Sequence, residues 1–243
     1  RAKSPARGVE FIEDRGAIRP DRRPVVRALL REPSLFGDLT LAPDQHLEVR
    51  LLAATNSSMV YRVDIVDATG ERRDPVSALK VYRHKPALRS PTLGIRFLDE
   101  EILARSSQEA TKRIATTDPT LVPSDVRLFV GAHPGELHKL AALRMQFVDG
   151  ENVGVMLNQL SRTDPATQPV RQALTTKGLR AFLRMRRALG YITDPHPDNV
   201  IVEQATGAEK VFDLDFVTTL RSPAEVFAEL HRRWVEEGVI AEG

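Results

Sequence analysis

Three stretches of alternating apolar and polar residues follow one another between Leu47 and Tyr82, and this pattern constrains the fold more than any other feature. Alternation with a period of two is typical of strands that bury one face. A polar break at 55–58 and a turn at Asp67–Gly70, where glycine supplies a positive φ, separate the stretches. Strands joined by such short connections pair antiparallel, so the sequence predicts a meandering antiparallel sheet.

The pattern becomes helical further along the chain. We predict a helix over Gly94–Thr116, followed by two more strands, Val126–Val130 and Leu140–Phe147, which end the sheet half near Gly150. The second half is predicted to contain helices at Val153–Leu160 and Leu174–Leu189, strands at Val200–Glu203 and Lys210–Phe212, and a last helix opened by a capping box at Ser222. The predicted fold class is therefore α+β.

We divide the chain into three parts on these patterns. Residues 1–46 are predicted to form an N-terminal arm, which is rich in Arg and Pro over Arg1–Arg23 and has a short helix at Pro24–Arg31. We interpret the arm as a solvated basic tail, and a docking element is the alternative. Residues 47–150 form the predicted sheet half, and residues 151–243 form the predicted helical half.

Composition excludes several classes of function. The 243 residues include 35 basic and 33 acidic side chains, and a net charge of +2 is too small to indicate nucleic-acid binding. The absence of Cys excludes disulfides, a Cys-ligated zinc and a thiol nucleophile. Apolar runs such as Leu140–Leu143 are far shorter than the roughly 18 residues of a membrane span. We therefore expect a soluble protein without a membrane span.

Two groups of polar residues stand where chemistry is expected. Lys80 lies inside the apolar strand Ala78–Tyr82, where a buried ammonium needs an anionic partner, although alternation could also point it to solvent. Asp194, Asn199 and Asp213 lie in loops at the ends of the second strand pair. Carboxylate and amide oxygens are ligands that Mg²⁺ prefers. Two polar turns without a metal are the alternative.

Together these residues resemble the motifs of the protein-kinase-like superfamily over residues 47–216. Lys80 stands where that family has its A-x-K strand lysine, and Glu109 stands where the helix glutamate pairs with that lysine. Asp194 and Asn199 have the spacing of the catalytic-loop Asp and the metal-binding Asn, and Asp213 stands at the Asp of D-F-G. Residues 143–150 resemble the last strand and hinge of the N-lobe.

The resemblance implies a bilobal protein-kinase-like fold, with an antiparallel N-lobe and a shortened helical C-lobe, that uses ATP and Mg²⁺. It implies that Lys80, held by Glu109, binds phosphates, that Asn199 and Asp213 hold Mg²⁺, and that Asp194 accepts the proton of the acceptor hydroxyl. His196 replaces the usual Lys of the catalytic loop and would contact the transferred phosphoryl group. Glu151 or Asn152 would meet the ribose. The residues implied for nucleotide binding are Ala53, Thr55, Ser57, Ser58, Val60, Ala78, Lys80, Met145 (the gatekeeper position), Gln146 and Val148.

The chain also departs from the family pattern. The nucleotide loop has no glycine, and its Asn56–Val63 segment is similar to the corresponding loop of aminoglycoside and choline kinases. The loop Asp194–Asn199 and the D-L-D variant ending at Asp215 are also similar to those enzymes. Only 30 residues follow Asp213, without an A-P-E element. This short end resembles the minimal kinases that bacterial pathogens inject into host cells.

The leading hypothesis is a minimal protein kinase that phosphorylates hydroxyl side chains of a partner protein, a host protein if the chain is a secreted effector. Such kinases can need an activating partner that orders the helix carrying Glu109. The alternatives are a small-molecule kinase, a nucleotidyl transferase on the same scaffold, and a pseudokinase that acts as an interaction module. The expected location is the cytoplasm, or a host cell after secretion.

Overall fold

The structure is a computed structural model, and its residues form two compact units. It describes residues 8–13, 18, 22–54, 58–82, 85–90, 94–98, 100–132, 139–190, 196–214, 228, 231, 232, 235 and 236. The first unit comprises Arg1–Gln108 and Asp125–Phe147, and the second comprises Glu109–Ser124 and Val148–Gly243. We call them the sheet unit and the helical unit. One division between the units, after Phe147, lies close to the predicted boundary near Gly150. Another, after Gln108, lies within the region predicted to be a long helix.

A six-stranded sheet forms the centre of the sheet unit, in the order β1-β2-β3-β4-β8-β7. Neighbouring strands in the series β2, β3, β4, β8 and β7 pair antiparallel, as predicted. The edge strand β1 pairs parallel with β2. Apolar residues alternate along the central strands, so each strand presents one side to each face of the sheet. The strands are β1 Val9–Ile12, β2 His46–Ala54, β3 Ser58–Val66, β4 Arg72–Tyr82, β7 Arg127–Ala132 and β8 Lys139–Gln146.

The predicted helix over Gly94–Thr116 is wrong in its first turn. Gly94–Leu98 is strand β6, which pairs antiparallel with β5, Lys85–Ser90, in a separate two-stranded sheet. The helix α3 begins later and spans Glu100–Thr117. Gly94 is a poor helix former, and a short apolar run such as this one fits strand and helix periods equally well.

The N-terminal segment is not a solvated tail where the structure describes it. Helices α1, Arg23–Leu29, and α2, Pro33–Phe36, bury their apolar sides against one face of the six-stranded sheet. The predicted short helix is thus confirmed, and the interpretation of the arm as solvated is wrong. The core on this face includes Val25, Val26, Leu29, Leu30, Leu35 and Phe36 from the segment and Leu47, Val49, Tyr61, Val63, Leu79 and Val81 from the sheet.

The helical unit follows the predicted order of elements. Helices α4, Val153–Gln159, and α5, Gln168–Leu189, precede the strands β10, Val200–Glu203, and β11, Glu209–Val211. Gly190 ends α5 with a φ of 83°, as expected of a C-terminal glycine. Strand β9, Gly150–Asn152, adds a third strand beside β10. The predicted last helix at Ser222 lies outside the described residues.

The fold class is α+β, as predicted: an antiparallel sheet unit precedes a mainly helical one. A hydrophobic core of its own supports each unit. Within the part of the chain that the structure describes, no helix is long and apolar enough to cross a membrane.

Candidate functional site

Lys80 lies in the middle of a row of residues that crosses the sheet. Its Cα partners are Val60 on β3 and Leu143 on β8, and Val60 in turn pairs with Ala53 on β2. The lysine is 6% exposed, so the solvent-facing alternative is wrong. Its Nζ lies 4.9 Å from the centroid of the Tyr82 ring, where the ring's negative face stabilises the ammonium.

The face of the sheet that carries Lys80 also receives helix α3. Leu103 and Ala104 of α3 pack with Tyr82 and Leu143, which are neighbours of Lys80 on this face. The buried side of α3 continues through Ser107, Ala110, Thr111 and Ile114. Lys80 therefore shares this face of the sheet with residues that pack against α3.

Glu109 does not belong to the buried side of that helix. It lies two turns after the exposed Ile102, and its own side chain is exposed. The buried carboxylate of α3 is Glu100, which is 6% exposed and precedes Leu103 by one turn. The exposure of Glu109 therefore does not favour it as the partner of a buried lysine.

The other residues predicted for nucleotide binding have mixed surroundings. Ala53 is exposed near the end of β2, while Ser58 and Ala78 are buried and Val60 is half-buried. Thr55 and Ser57 lie outside the described residues. Ala53, Val60 and Lys80 nevertheless share one cross-strand row, because the strand pairing places them side by side.

The predicted hinge follows β8. Met145 is the Cα partner of Ala78 and packs, partly buried, against the cluster that contains Tyr82 and Leu143, and Gln146 is exposed. The Phe147 amide donates a hydrogen bond to the Val76 carbonyl at 3.0 Å, so that amide is not available to a nucleotide base. Val148 begins the next part of the helical unit and is buried.

In the helical unit, a 3₁₀ turn at Pro197–Asn199 leads into β10 and brings Asn199 beside the end of β11. The Phe212 amide donates to the Asn199 carbonyl at 2.9 Å, which places Asn199 and Asp213 at the same end of the strand pair. Both residues are half-buried, and Asp213 has a φ of 56°. Residues other than glycine seldom adopt this conformation, although Asp and Asn do so more often than most, and Asp125 has a similar φ of 53°. Such conformations are concentrated at functional sites.

Asn199 and Asp213 fit the chemistry of Mg²⁺, since they supply an amide oxygen and a carboxylate from one edge of a hairpin. Asp194, the predicted catalytic base, lies outside the described residues. His196 is exposed, and its Nδ1 accepts a hydrogen bond from the Asp198 amide at 3.3 Å. The same nitrogen lies 3.1 Å from an Asp198 carboxylate oxygen.

Helix α4 holds this turn through residues at its N-terminus. The Asn152 side chain caps α4 by accepting a hydrogen bond from the Val155 amide at 3.0 Å, and its amide nitrogen donates to the Asp198 carbonyl. Gly154 lies so close that a Cβ there would be 1.8 Å from Asp198 Oδ1 and 2.9 Å from the Asp198 amide nitrogen. Asn152 is therefore committed to structure and not to a ribose. Glu151 is exposed.

The basic run at 184–187 on α5 is partly buried by ion pairs. The Arg184 guanidinium donates two hydrogen bonds of 2.7 Å to Asp118 and one of 3.3 Å to Glu209. The hydrogen bonds from Arg184 hold the pKa of Asp118 below its usual value, and Asp118 raises the pKa of Arg184. Arg184 thus joins α5 to the segment before β7 and to β11, while Arg186 and Arg187 remain exposed.

Sequence reasoning missed Glu100, Gly154 and Asp198. The burial of Glu100 could have been predicted from the sequence. Glu100 precedes the apolar residues Leu103 and Ala104 by three and four positions, a spacing that places all three on one side of a helix. Asn152 before a helical pattern is a readable N-cap. The closeness of Gly154 to Asp198 depends on how α4 packs on the turn, and no spacing in the sequence indicates it.

Comparison with known proteins adds little. No protein-family model matches the chain, and no curated protein matches it by sequence. A MAP kinase from Leishmania major has a similar structure, with 15% sequence identity and a TM-score of 0.39 over 76% of this chain and 50% of that one. The chain thus spans about half the length of that kinase. This likeness identifies neither a family nor an activity for the chain.

Proposed function

We propose that the protein is an ATP- and Mg²⁺-dependent phosphotransferase with a kinase-like fold. The observation that carries this proposal is the conformation of Asp213, which has a φ of 56° beside Asn199 at the end of a short hairpin. Holding a non-glycine residue there costs on the order of 1–3 kcal/mol, and such costs are typical of functional sites. The buried Lys80 is the second support.

Each residue has a role in this proposal. Lys80 binds phosphate oxygens of ATP, and Asn199 with Asp213 holds Mg²⁺, which neutralises the charge on the phosphates when it is bound. Asp194 accepts the proton of the acceptor hydroxyl, and His196 lies two residues further along the same loop. Positioning and charge neutralisation supply most of the rate in phosphoryl transfer.

We place a protein hydroxyl first as the acceptor and a small-molecule hydroxyl second. The loop residues shared with aminoglycoside and choline kinases support the second. An effector role in a host cell and an activating partner belong to the first hypothesis.

The test is label transfer from ATP by the purified chain. We expect label from γ-labelled ATP, but not from α-labelled ATP, to reach a protein acceptor in the presence of Mg²⁺. Asp213→Ala should lower the rate by on the order of 10²–10³-fold, since it removes a ligand of the ion that stabilises the transition state. Asp44→Ala, an exposed carboxylate of the sheet unit, is the control and should leave the rate unchanged.

The other outcomes separate the alternatives. Label from the α-position would indicate nucleotidyl transfer, and γ-label on a small alcohol alone would indicate a small-molecule kinase. Absence of both transfer and Mg-ATP binding, with and without a host-cell extract to supply an activator, would contradict the proposal. Binding without transfer under the same conditions would indicate a pseudokinase.

A further inference from the structure

A second cluster of ligand-type side chains lies at the edge of the sheet unit. Glu10 on β1 is the Cα partner of Glu48 on β2, and His46 precedes Glu48 by two residues and so lies on the same face. One ligand atom from each of the three side chains lies within 4.8 Å of the others. His46 Nε2 is 3.5 Å from Glu10 Oε2 and 4.0 Å from Glu48 Oε1.

Two carboxylates of this cluster belong to directly paired residues. Like charges on directly paired residues of neighbouring strands repel each other. Glu48 also pairs with Asp64 on β3, but Asp64 is neutralised by two hydrogen bonds from Arg62 Nε, of 2.8 and 2.9 Å. Among the described residues, His46 is the only basic partner that Glu10 has.

The imidazole of His46 is itself incompletely bonded. Its Nε2 is buried, makes no hydrogen bond among the described residues, and lies nearest to the two carboxylates. A buried polar nitrogen without a hydrogen bond costs free energy, on the order of 1–3 kcal/mol. A metal ion between Nε2 and the two carboxylate oxygens would satisfy the nitrogen and relieve the repulsion together.

The surrounding residues fix two of the three ligands. Arg50 lies 3.2 Å and Arg72 3.8 Å from Glu48 Oε2, which leaves Oε1 facing His46. Bonding of this kind to the outer oxygen orients a ligating carboxylate. The Leu47 amide donates to the Gly8 carbonyl at 2.9 Å and holds the start of β1 beside His46.

Gly8 makes this close approach feasible. It has a φ of 97°, and a Cβ there would lie 3.0 Å from the His46 Cβ. A side chain at this position would therefore be strained and crowded against His46. The start of β1 is thus shaped to lie against the histidine, which brings Glu10 to its place.

We propose that Glu10, His46 and Glu48 bind a divalent transition-metal ion, with Zn²⁺ as the preferred ion. The bound ion would link β1 to the rest of the sheet. One imidazole and two carboxylates suit Zn²⁺ better than Mg²⁺ or Ca²⁺, which take oxygen ligands. Ligand distances of about 2.0–2.2 Å around a tetrahedral ion need donor atoms about 3.3–3.6 Å apart, close to the separation of His46 and Glu10. The fourth position is left to water. The site is independent of the proposed phosphotransferase activity.

The test is metal titration of the full, tag-free chain after removal of metals with a chelator. All variants carry Asp213→Ala, so that the proposed Mg²⁺ site does not contribute. We expect one equivalent of Zn²⁺ to bind with a Kd below about 10 μM, a rise in melting temperature, and a visible Co²⁺ spectrum of tetrahedral type. Glu10→Gln and His46→Gln should each weaken Zn²⁺ binding at least tenfold, and Asp44→Asn and His231→Gln are the matched controls.

A loss of metal binding can be distinguished from a failure of the variant to fold. The Glu10 side chain is 62% exposed, so its amide variant should keep the metal-free melting temperature. Binding that is equally strong in Glu10→Gln and His46→Gln would overturn the proposal. So would the absence of Zn²⁺ binding, which is expected if His46 bridges the two carboxylates as an imidazolium.

Discussion

At the scale of single residues, the feature most relevant to the proposed function is a pair of buried charged side chains in the sheet unit. Lys80 and Glu100 are both 6% exposed and both belong to the sheet unit. Tyr82 lies beneath the lysine and also packs with Leu103, one turn after Glu100. A buried ion is tolerated only with an opposite charge or strong hydrogen bonds. We therefore propose that Glu100, rather than Glu109, positions Lys80.

This assignment predicts different effects for two conservative variants on one helix. Glu100→Gln should lower the affinity for Mg-ATP, and any phosphotransferase rate, by on the order of tenfold, since about 1.4 kcal/mol of binding free energy corresponds to that factor. Glu109→Gln should change both by less than about twofold, because its exposed carboxylate is solvated. Nucleotide titration with melting curves as folding controls measures both effects. A larger loss in Glu109→Gln would return the role to Glu109.

At the scale of elements, the turn that carries Asn199 depends on α4. Asn152 connects the helix start to the Asp198 carbonyl, and Gly154 leaves space for the Asp198 side chain and amide nitrogen. A methyl group at Gly154 meets a backbone nitrogen as well as a side-chain oxygen, so rotation of the Asp198 side chain alone cannot relieve the clash. The position of Asn199 therefore depends on a helix that supplies no predicted metal ligand.

Two Gly→Ala variants test this dependence. Gly154→Ala should displace the turn and lower the Mg²⁺-dependent affinity for ATP severalfold. Gly178→Ala, inside α5, is the matched control: its Cβ would lie 3.9 Å from Val153 Cγ1, an ordinary contact. It should stabilise the protein by about 0.5–1 kcal/mol, because alanine loses less entropy in a helix. Unchanged Mg-ATP affinity in Gly154→Ala would show that the turn does not need this approach.

The elements that could be predicted from the sequence are those with a long, regular period. The sequence predicted the alternating strands β2 and β3 and also the helix α5, which ends at Gly190. Each of these elements repeats its pattern of apolar residues over many consecutive positions. Gly94–Leu98 was not, because five residues fit both periods. The pairing of Asn199 with Asp213 followed from two adjacent strand ends. The proposed carboxylate partner of Lys80 did not, because the phase of α3 decides that Glu100 lies on its buried side and Glu109 on its exposed side.

At the scale of the whole molecule, the sheet unit needs its N-terminal segment. Arg144 on β8 is 1% exposed and donates to the Leu35 carbonyl at 2.8 Å, while its guanidinium stacks 4.9 Å from the Phe36 ring. Leu30 is fully buried in the same core. The segment was hard to predict because its first part is rich in Arg and Pro. Its apolar residues occur in short groups that only the sheet face brings together.

The last prediction concerns this dependence. Leu30→Ala should lower the free energy of unfolding by about 2–5 kcal/mol, the range for a buried leucine, whereas Leu183→Ala, a leucine 39% exposed on α5, should change it by less than about 1 kcal/mol. Hydrogen exchange in β2, β3 and β4 measures the effect within the sheet unit. A chain truncated to 46–243 should lose protection in the same strands, since it exposes the apolar face that α1 and α2 cover. Retained protection would contradict this prediction and would restore the interpretation of the segment as a dispensable tail. It would also mean that the sheet is stable with one apolar face exposed to water.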